Sequence, residues 1–538
     1  MTVVVAGSGA AGLVAALAAA TAGADVLVLE RSDLLGGTTA LGGGRVWVPA
    51  NHCQENSGDS VAAARAYLDG LFPAGYAHLT DAFLASAPAM ARFVTANTRH
   101  RFVACPSYPD YHPGRPGATP GGRCLDMLPA DLNAMLPQAR RVRVPPGYLP
   151  MTHAEWERWR YPSRFDWDLL SARMDAGIRT NGVALAAALA DGAIRAGARI
   201  ETGARLVEVT TRDGKAGKAV THAVVERTVA GGNHAKLIPA SAVILACGGF
   251  DWDEHLRRTW HPAAQRATAA SPGNAGDALR IAAHLGARTD NLGQGWWMPM
   301  MAVPGEEVDG VPYPRSLIRE RALPRQVMVN AAGRRFVDEA APYNEVGKAM
   351  HRHDAAGCPN DPAYLIFDAG FARRYALPGF SLCKDGGGAV PDWMPSAASL
   401  PALAERIGVD PAGLTATVAR WNEGCARGTD PDFGRGGNVY DRYGGDPAAP
   451  GHPNLGPLTD PPFSAVRVLA GTIGTKGGPV TDAAGRVLTT GGAPIKGLYA
   501  AGNAAAFWTG DAYPAPGATL GIAMTMGYVC GLTATATR

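Results

Sequence analysis

Short apolar runs that end in glycine-rich turns mark the N-terminal part of this chain. Residues 3–6 are apolar throughout, which predicts a parallel strand buried on both faces. An alanine-rich stretch to residue 21 predicts a helix, and Gly23 provides its stop. A second apolar run at residues 25–29 predicts the next strand, which ends at Glu30. This order of strand, helix and strand predicts a parallel α/β sheet.

The same pattern returns later in the chain, after long insertions. Residues 205–210 and 242–246 predict further strands, and a helix is predicted to open at residue 277. Residues 518–528 form an apolar, helix-like run. Residues 108–179 are rich in Pro, Trp and Arg without clear periodicity, which predicts an excursion of loops and helices.

A change of composition near residue 289 predicts a second domain that ends near residue 463. Within it, residues 327–343 predict a strand, a turn at 330–333 and a second strand. Residues 497–502 predict a return to the first sheet. We predict an α/β fold in which a Rossmann-like domain is interrupted by an α+β catalytic domain, with segments 1–288, 289–463 and 464–538.

A dinucleotide-binding turn follows the first strand. Gly7, Gly9 and Gly12 form a GxGxxG pattern between a predicted strand and helix. Such glycines allow a tight turn, close approach of a pyrophosphate and close helix–strand packing, while the helix N-terminus supplies N–H groups to the phosphates. Glu30 stands where a carboxylate accepts from ribose hydroxyls, and it disfavours the 2′-phosphate of NADP.

A second glycine-rich loop at residues 36–44 is not needed for NAD and is typical of a flavin site. No histidine lies between residues 31 and 51, so we expect non-covalent FAD. The C-terminal residues 498–503 and 513–520 complete this site in our interpretation, so that both ends of the chain meet at one cofactor. The predicted cofactor-binding residues are Gly7, Gly9, Ala10, Ala11, Gly12, Glu30, Arg31, Gly36, Gly37, Thr38, Thr39, Gly43, Gly44, Val207, Ala246, Gly248, Gly502, Asn503, Thr519 and Leu520.

Composition and charge narrow the class further. At 538 residues, two or more domains are expected, and a net charge of +3 gives no reason to expect nucleic acid as a partner. The eight cysteines form no CxxC pair, so we expect reduced thiols in a cytoplasmic protein and no metal site. We expect no signal peptide and no integral membrane span, with association at a membrane surface left open.

Three features together resemble the 3-ketosteroid Δ1-dehydrogenase branch of the fumarate reductase flavoprotein superfamily. They are the N-terminal glycines with Glu30 and Gly36-Gly37-Thr38, the run 327–343, and Tyr-Pro-Ala-Pro-Gly at 513–517. The resemblance extends over nearly the whole chain. It is strongest at residues 1–49, 327–347 and 470–530, and weakest at 113–180.

The resemblance implies a three-layer ββα FAD-binding domain and a site that desaturates a cyclic ketone. It implies that Tyr343 abstracts a proton, that Tyr111 supports it, and that the Tyr513 hydroxyl and the Gly517 N–H hold the carbonyl. Hydride would pass from the β carbon to the flavin. A substrate pocket is predicted from Trp47, Tyr108, Trp297 and Pro516.

Three substrate classes stay open. A 3-ketosteroid is the simplest, and a smaller ring, as in cyclohexanone dehydrogenases, uses the same chemistry. A fumarate-reductase-like enzyme needs arginines that clamp carboxylates, and no arginine follows Gly517 within residues 518–521. The small ketone substrate and an unidentified electron acceptor are the predicted partners.

Overall fold

The computed structural model describes residues 2–54, 58–214, 217–229, 232–263, 265, 267–382 and 387–536. The predicted N-terminal unit is present as strand Thr2–Ala6, helix Ala10–Thr21 and strand Asp25–Leu29. The two strands pair in parallel, with Val4 opposite Leu27. Both strands are buried because helices cover one of their faces and a second β layer covers the other.

A nine-stranded sheet within the described residues carries this unit. Its central strands pair in parallel. The order of strands across the whole sheet is Gly232–Pro239, Gly217–Val229, Pro494–Ala500, Ala242–Leu245, Thr2–Ala6, Asp25–Leu29 and Arg199–Glu201. Strand Ala204–Gly214 also pairs with Gly217–Val229, and Arg486–Leu488 with Pro494–Ala500.

Alternate residues of the parallel strands face two different layers. Val3 and Val5 pack into a cluster formed with helices, whereas Val4 packs on the other face against the antiparallel pair Ala204–Gly214 and Gly217–Val229. The helices of the first layer are Ala10–Thr21, Asn181–Arg195 and Ala518–Ala536, and helix Asp277–His284 joins the second. The predicted three-layer ββα arrangement is confirmed.

Helix Ala518–Ala536 packs against helix Ala10–Thr21 in the core. The approach is close, because a Cβ on Gly527 would lie 2.3 Å from the Ala11 carbonyl oxygen. Among the described residues, this is the one helix long and apolar enough to cross a membrane, and 61% of its apolar window is buried inside the fold. Its packing is that of a core helix.

A second, seven-stranded sheet of the described residues lies in the middle of the chain. In order its strands are Arg315–Ser316, Gly295–Met301, Phe463–Thr475, Ala363–Asp368 and Gln326–Asn330, and Ala267–Thr268 and Ser396–Ala397 also pair with Phe463–Thr475. The second sheet therefore extends past the predicted boundary at residue 463. The division into segments itself stays a prediction.

The predicted second strand after the turn at 330–333 is wrong. Strand Gln326–Asn330 and the turn are present, but the described residues 334–342 form no strand. Buried ion pairs hold this stretch instead: Arg335 lies 2.6 Å from Glu339 and 2.8 Å from Asp430. Helix Tyr343–Met350 follows directly, so residues 334–342 form an ion-paired loop rather than a strand.

The excursion at 108–179 contains loops and short helices, as predicted. Its helices are His153–Trp159 and Trp167–Asp175. The other helices are Gly37–Leu41, Val61–Leu68, Ala77–Asn97, Glu254–Trp260, Ala369–Arg374, Leu400–Ile407, Pro411–Ala426 and Val439–Gly444. The short strands are Val46–Trp47, Phe102–Ala104, Cys124–Met127, Ala130–Asp131, Ile178–Arg179, Thr289–Asp290, Glu307–Val308, Val311–Pro312, Ser381–Leu382, Gly388–Ala389 and Gly478–Pro479.

Candidate active site

One cavity of about 640 Å³ runs along the carboxyl ends of the parallel strands and reaches the second sheet. Open α/β sheets bind ligands at this edge. Its lining includes these predicted cofactor residues: Gly7, Gly9, Ala10, Ala11, Glu30, Arg31, Gly37, Thr38, Thr39, Gly43, Gly44, Ala246, Gly248, Gly502, Asn503, Thr519 and Leu520. Tyr108, Tyr111, Tyr343, Tyr513, Pro516 and Gly517 also line it. Residues from both ends of the chain therefore meet at one cavity.

The three glycines of the first turn have different surroundings, as the motif predicts. A Cβ on Gly7 would lie 2.4 Å from the Ala246 carbonyl oxygen, and one on Gly12 would lie 2.0 Å from that of Gly7. These two positions serve backbone packing. A Cβ on Gly9 would meet only the Thr39 hydroxyl, at 3.7 Å. Gly9 therefore leaves room for a ligand to approach the backbone.

Glu30 is buried at the cavity wall and is already oriented by a neighbour. Its Oε2 accepts from the Ser8 hydroxyl at 2.6 Å and from the Ser8 N–H at 3.1 Å. Its Oε1 accepts from the Ser32 N–H at 2.9 Å. Ser8 lines the cavity but was not predicted, although its place inside the glycine motif is the signal that marks it.

The two threonines of the second loop hold backbone groups beside the cavity. The Thr39 hydroxyl accepts from the Ala10 N–H at 2.9 Å, at the start of the first helix. The Thr38 hydroxyl accepts from the Ser271 N–H at 2.9 Å. Ser271 and Asn274 line the cavity and were missed, since no motif marks them and only folding brings their loop here.

Three predicted cofactor residues lie behind the cavity wall. Gly12 packs as described, and the Gly36 N–H donates to the Ser8 hydroxyl at 3.0 Å, with φ at +98°. Val207 does not line the cavity, whereas the residues just before it, Ala204, Arg205 and Leu206, do. The predicted contact of adenine with backbone groups near Val207 stays a prediction.

The two predicted pocket tryptophans also lie outside the lining, which corrects the prediction. Trp47 is fully buried, and its indole N–H donates to Asp110 at 2.9 Å. Trp297 packs with its ring 4.4 Å from that of His351. Met298, its neighbour on the strand, lines the cavity instead. Burial of the other strand face decides this.

The three predicted catalytic tyrosines meet at one end of the cavity. Their ring centroids are 5.5 Å apart for Tyr111 and Tyr343, 5.3 Å for Tyr111 and Tyr513, and 5.4 Å for Tyr343 and Tyr513. All three pairs are edge-to-face, a favourable geometry for aromatic rings. The buried Tyr111 hydroxyl has no hydrogen-bond partner among the described residues. Such an orphan beside a cavity is a group prepared for a ligand.

Burial sets the protonation of these hydroxyls. It raises the pKa of Tyr343 well above its ordinary value, Tyr513 raises that pKa further, and the Tyr111 hydroxyl lowers it. Burial also raises the pKa of Tyr513 to about 12, while hydrogen bonds from Thr519 and Tyr343 lower it. Tyr513 is therefore a neutral hydrogen-bond donor at ordinary pH, and Tyr343 requires help before it can act as a base.

Gly517 lies at the start of helix Ala518–Ala536, beside these tyrosines. Its φ is +84°, and a Cβ would lie 2.7 Å from the Arg45 carbonyl oxygen, so only glycine fits. No acceptor in the described part of the chain takes the Gly517 N–H. The Thr519 hydroxyl donates to the Tyr513 hydroxyl at 2.9 Å, which orients it. The site therefore offers two donors near each other, a backbone N–H and a phenol.

Comparison with known proteins identifies the cofactor class. Residues 2–520 match the family of FAD binding domains. This chain is a member of that flavoprotein family. It is 40% identical over 543 residues to 4-oxocyclohexanecarboxylate 2-dehydrogenase of Sinomonas cyclohexanicum, covering 99% of this chain and 92% of the relative. It is 36% identical to 3-oxosteroid 1-dehydrogenase of Mycobacterium tuberculosis, covering 98% and 97%.

A solved structure agrees with both relatives. The 3-ketosteroid Δ1-dehydrogenase of Sterolibacterium denitrificans, in complex with 1,4-androstadiene-3,17-dione, superposes with a TM-score of 0.90 at 34% identity and covers 100% of each chain. The flavoprotein therefore belongs to the branch that the sequence resembles.

The residues of the flavoprotein's cavity fit FAD. Around Gly9 and Gly37 the nearest atoms to an added Cβ are 3.7 and 4.0 Å away, which leaves an open backbone cradle. The first helix begins beside this cradle, and Glu30 lies at the end of the next strand. The N-terminus of helix Ala518–Ala536 faces the same cavity through Thr519 and Leu520. Such donors suit a pyrophosphate at one end and an electron-accepting ring at the other.

A buried lysine that the sequence analysis missed supports the Tyr513 loop of the flavoprotein. Lys476 is fully buried, and its Nζ donates to the carbonyls of Gly510 at 2.9 Å and Ala512 at 2.7 Å. The ammonium also lies 3.9 Å from the centre of the Trp296 ring. Burial lowers the pKa of Lys476 well below its ordinary value. No sequence motif predicts this contact, because the Tyr513 loop comes close to Lys476 only in the folded chain.

Proposed function

We propose that this flavoprotein removes two hydrogens from the carbons next to a cyclic ketone and forms an α,β-unsaturated ketone. The observation that carries the proposal is the convergence of Tyr111, Tyr343, Tyr513 and the unpaired Gly517 N–H at one end of the FAD cavity. Desaturation needs a polarised carbonyl, a base for the α proton and an acceptor for the β hydride. The first two are supplied by groups of this chain.

Tyr513 and Gly517 hold the carbonyl oxygen in this proposal. The Tyr513 hydroxyl and the Gly517 N–H donate to it, and negative charge grows there as the α proton leaves. One such donor contributes about 3 kcal/mol to lowering the barrier. Thr519 fixes the Tyr513 hydroxyl, and the rigid backbone at Gly517 fixes the second donor.

Tyr343 takes the α proton in this proposal. Its raised pKa disfavours tyrosinate, so the proton moves only when the neighbouring groups and the polarised carbonyl assist. Tyr111 supplies this assistance, since its hydroxyl lowers the pKa of Tyr343 and has no other partner in the described residues. FAD, when bound, supplies the acceptor for the β hydride at its N5 atom.

A 3-ketosteroid is the first candidate substrate. The 3-oxosteroid 1-dehydrogenase of M. tuberculosis covers almost the whole chain, and the structure from S. denitrificans contains a steroid dienone. The groups that hold a 3-ketone and those that hold a cyclohexanone carbonyl are the same. The tyrosine triad therefore supports the reaction without deciding the size of the ketone.

A carboxylated cyclohexanone is the second candidate, and a specific observation favours it. The relative from S. cyclohexanicum acts, by its name, on 4-oxocyclohexanecarboxylate. In this chain the Arg45 side chain lines the same cavity as the tyrosines.

The experiment is dye-coupled turnover by the FAD-loaded protein with three ketones side by side. These are a 3-ketosteroid, cyclohexanone and 4-oxocyclohexanecarboxylate. Turnover of any of them, lost in Tyr343→Phe with flavin content unchanged, supports the proposed function. No turnover of any ketone by protein that contains stoichiometric FAD contradicts it.

We also propose a cytoplasmic location. Within the described residues Cys53, Cys105, Cys124, Cys247, Cys358, Cys425 and Cys530 are free thiols, which is usual in a reducing compartment. Cys383 lies outside the described residues. Cell fractionation with an antibody against the protein tests this proposal, and recovery in the periplasmic or membrane fraction contradicts it.

A further inference from the structure

A cluster of cationic and aromatic side chains lies beside the tyrosines, around His153. The Arg45 Nη2 and the Arg319 Nη2 both lie 3.4 Å from the His153 Nδ1. We call Arg45 and Arg319 the arginine pair. Arg45 lines the cavity itself. Tyr108, which also lines the cavity, stacks on His153 with ring centroids 4.8 Å apart. The arginine pair is therefore joined to the cavity both directly and through Tyr108.

His153 adds no positive charge to this cluster. Burial lowers its pKa to about 3, and the charges of the arginine pair lower it as well. Its Nε2 lies 2.6 Å from the Tyr443 hydroxyl, which donates in turn to Glu157 at 2.7 Å. Two arginine donors at Nδ1 require the tautomer with its proton on Nε2. His153 thus acts as a neutral acceptor that holds two cations close together.

Ion pairing within the cluster is uneven. Arg45 has a carboxylate partner, Asp126, at 3.1 Å. The Arg319 guanidinium stacks on Trp156, 3.1 Å from the ring centre, and no carboxylate of the described residues lies within ion-pair distance of it. Arg160 also contacts this ring; burial lowers its pKa, and the negative charges of Glu157 and Asp446 oppose this shift.

Arg319 is therefore a cation without a carboxylate partner of its own in the described residues. Asp126 pairs with Arg45, Glu157 and Asp446 act on Arg160, and His153 stays neutral. In addition, the buried Arg45 Nε has no hydrogen-bond partner among the described residues. The side chains of Arg45 and Arg319 are partly buried, and a cation in such surroundings favours a bound anion.

We propose that the arginine pair binds a carboxylate on the ring of the ketone substrate, across the ring from the carbonyl. The proposal rests on the proposed function and names its substrate class: a cyclohexanone with a ring carboxylate. The Arg45 backbone touches Gly517, where the carbonyl is held, and its side chain extends from there towards His153. A single six-membered ring is thus held at both ends, by the tyrosines and by the arginine pair. A steroid offers no carboxylate to this cluster.

The test compares turnover of a carboxylic acid and of its uncharged methyl ester by the FAD-loaded wild-type protein. 4-Oxocyclohexanecarboxylate and its methyl ester share the ring and the ketone and differ in charge. We expect kcat/KM for the acid to exceed that for the ester by at least about 30-fold, mainly through KM, because loss of one buried charge partner has an effect of this size. Calorimetric titration of the holoenzyme should show the same preference in Kd.

Variants locate the effect. Arg319→Gln leaves no carboxylate unpaired, so it is the informative change, and it should reduce the acid-to-ester ratio about tenfold or more while kcat/KM for the ester stays within about twofold. Arg45→Gln should act in the same direction, although it also removes the partner of Asp126. Arg315→Gln is the matched control: Arg315 lines the cavity, but its charge is paired with Glu306 at 3.1 Å. It should leave the acid-to-ester ratio unchanged.

The outcomes separate this inference from the proposed function. Turnover of steroid or cyclohexanone with an acid-to-ester ratio near one keeps the desaturase function and overturns the arginine pair as a carboxylate site. A fall of kcat for acid and ester alike in Arg319→Gln also overturns it, since the arginine would then serve the tyrosines. Absence of turnover with every ketone, together with no binding of the acid, contradicts both.

Discussion

Replacement of Tyr513 by phenylalanine removes one oxygen and leaves the ring in place. The ring contacts with Tyr111, Tyr343 and Trp296, at 5.3, 5.4 and 4.6 Å, persist because phenylalanine has the same ring. The fold loses the hydrogen bonds that Tyr513 receives from Thr519, at 2.9 Å, and from Tyr343. The loss of such a bond costs about 1 kcal/mol of the free energy of unfolding. The variant should therefore fold and bind FAD.

The loss of activity should be far larger than the loss of stability. The hydroxyl is one of the two donors proposed for the carbonyl oxygen, and removal of one oxyanion donor raises the barrier by about 3 kcal/mol. This corresponds to a fall in kcat of about 100-fold or more. The assay is steady-state turnover with an artificial electron acceptor, normalised to bound flavin, with thermal unfolding measured in parallel.

Tyr440→Phe provides the matched control for this prediction. Tyr440 is buried and lies edge-to-face with Tyr111 at 5.1 Å, but it does not line the cavity. The same chemical change there should alter kcat by less than about fivefold, because surroundings without a reacting group give no barrier effect of this kind. Near-wild-type turnover in Tyr513→Phe, or equal losses in both variants, refutes the carbonyl-holding role of Tyr513.

Three further predictions follow from the same geometry. Gly517→Ala should abolish turnover and lower the melting temperature, because its Cβ would lie 2.7 Å from the Arg45 carbonyl oxygen at a φ of +84°; an active, stable variant contradicts this. Since the pKa of Tyr343 is raised, kcat/KM of the wild type should increase with pH through the alkaline range by up to about tenfold per pH unit. Any residual activity of Tyr343→Phe should lack this dependence, and a flat profile in the wild type argues against a tyrosine base. Lys476→Met leaves two buried carbonyls unpaired, so the free energy of unfolding should fall by about 3 kcal/mol with a parallel loss of kcat, and an unchanged melting curve contradicts the positioning role.

Local patterns in the chain predict the cofactor, and the resemblance of three motifs to a known family implies the reaction class. The GxGxxG turn between strand and helix, Glu30 at the next strand end and the loop at 36–44 each have a local physical meaning, and the match to FAD binding domains confirms the cofactor. The resemblance to ketosteroid dehydrogenases is confirmed by relatives over almost the whole chain. The roles of Tyr111, Tyr343 and Tyr513 stay predictions, although their side chains converge on one cavity.

Errors arose where a residue's environment depends on distant segments. The predicted strand after residue 333 does not form, because Arg335 makes buried ion pairs with Glu339 and Asp430. The local sequence gives no sign of these ion pairs. The sequence analysis predicts Trp297 in the substrate pocket, whereas the strand register directs Met298 into the cavity. A shift of one residue along a strand moves a side chain to the opposite face, so composition alone cannot assign the wall of a pocket.

Glycine turns, buried apolar strands and the spacing of the tyrosine motifs have local causes, so the amino-acid sequence is sufficient to predict them. Which charged groups come into contact depends on how the chain folds. Arg45, His153 and Arg319 are far apart in the chain, and their distances of 3.4 Å exist because the start of helix His153–Trp159 and the loop at 319 pack against the segment that carries Arg45. Electrostatic interactions depend on separation in space and on burial, which no local pattern encodes. The residues proposed to hold the carbonyl could therefore be predicted from motifs, whereas the group proposed to select the substrate could not.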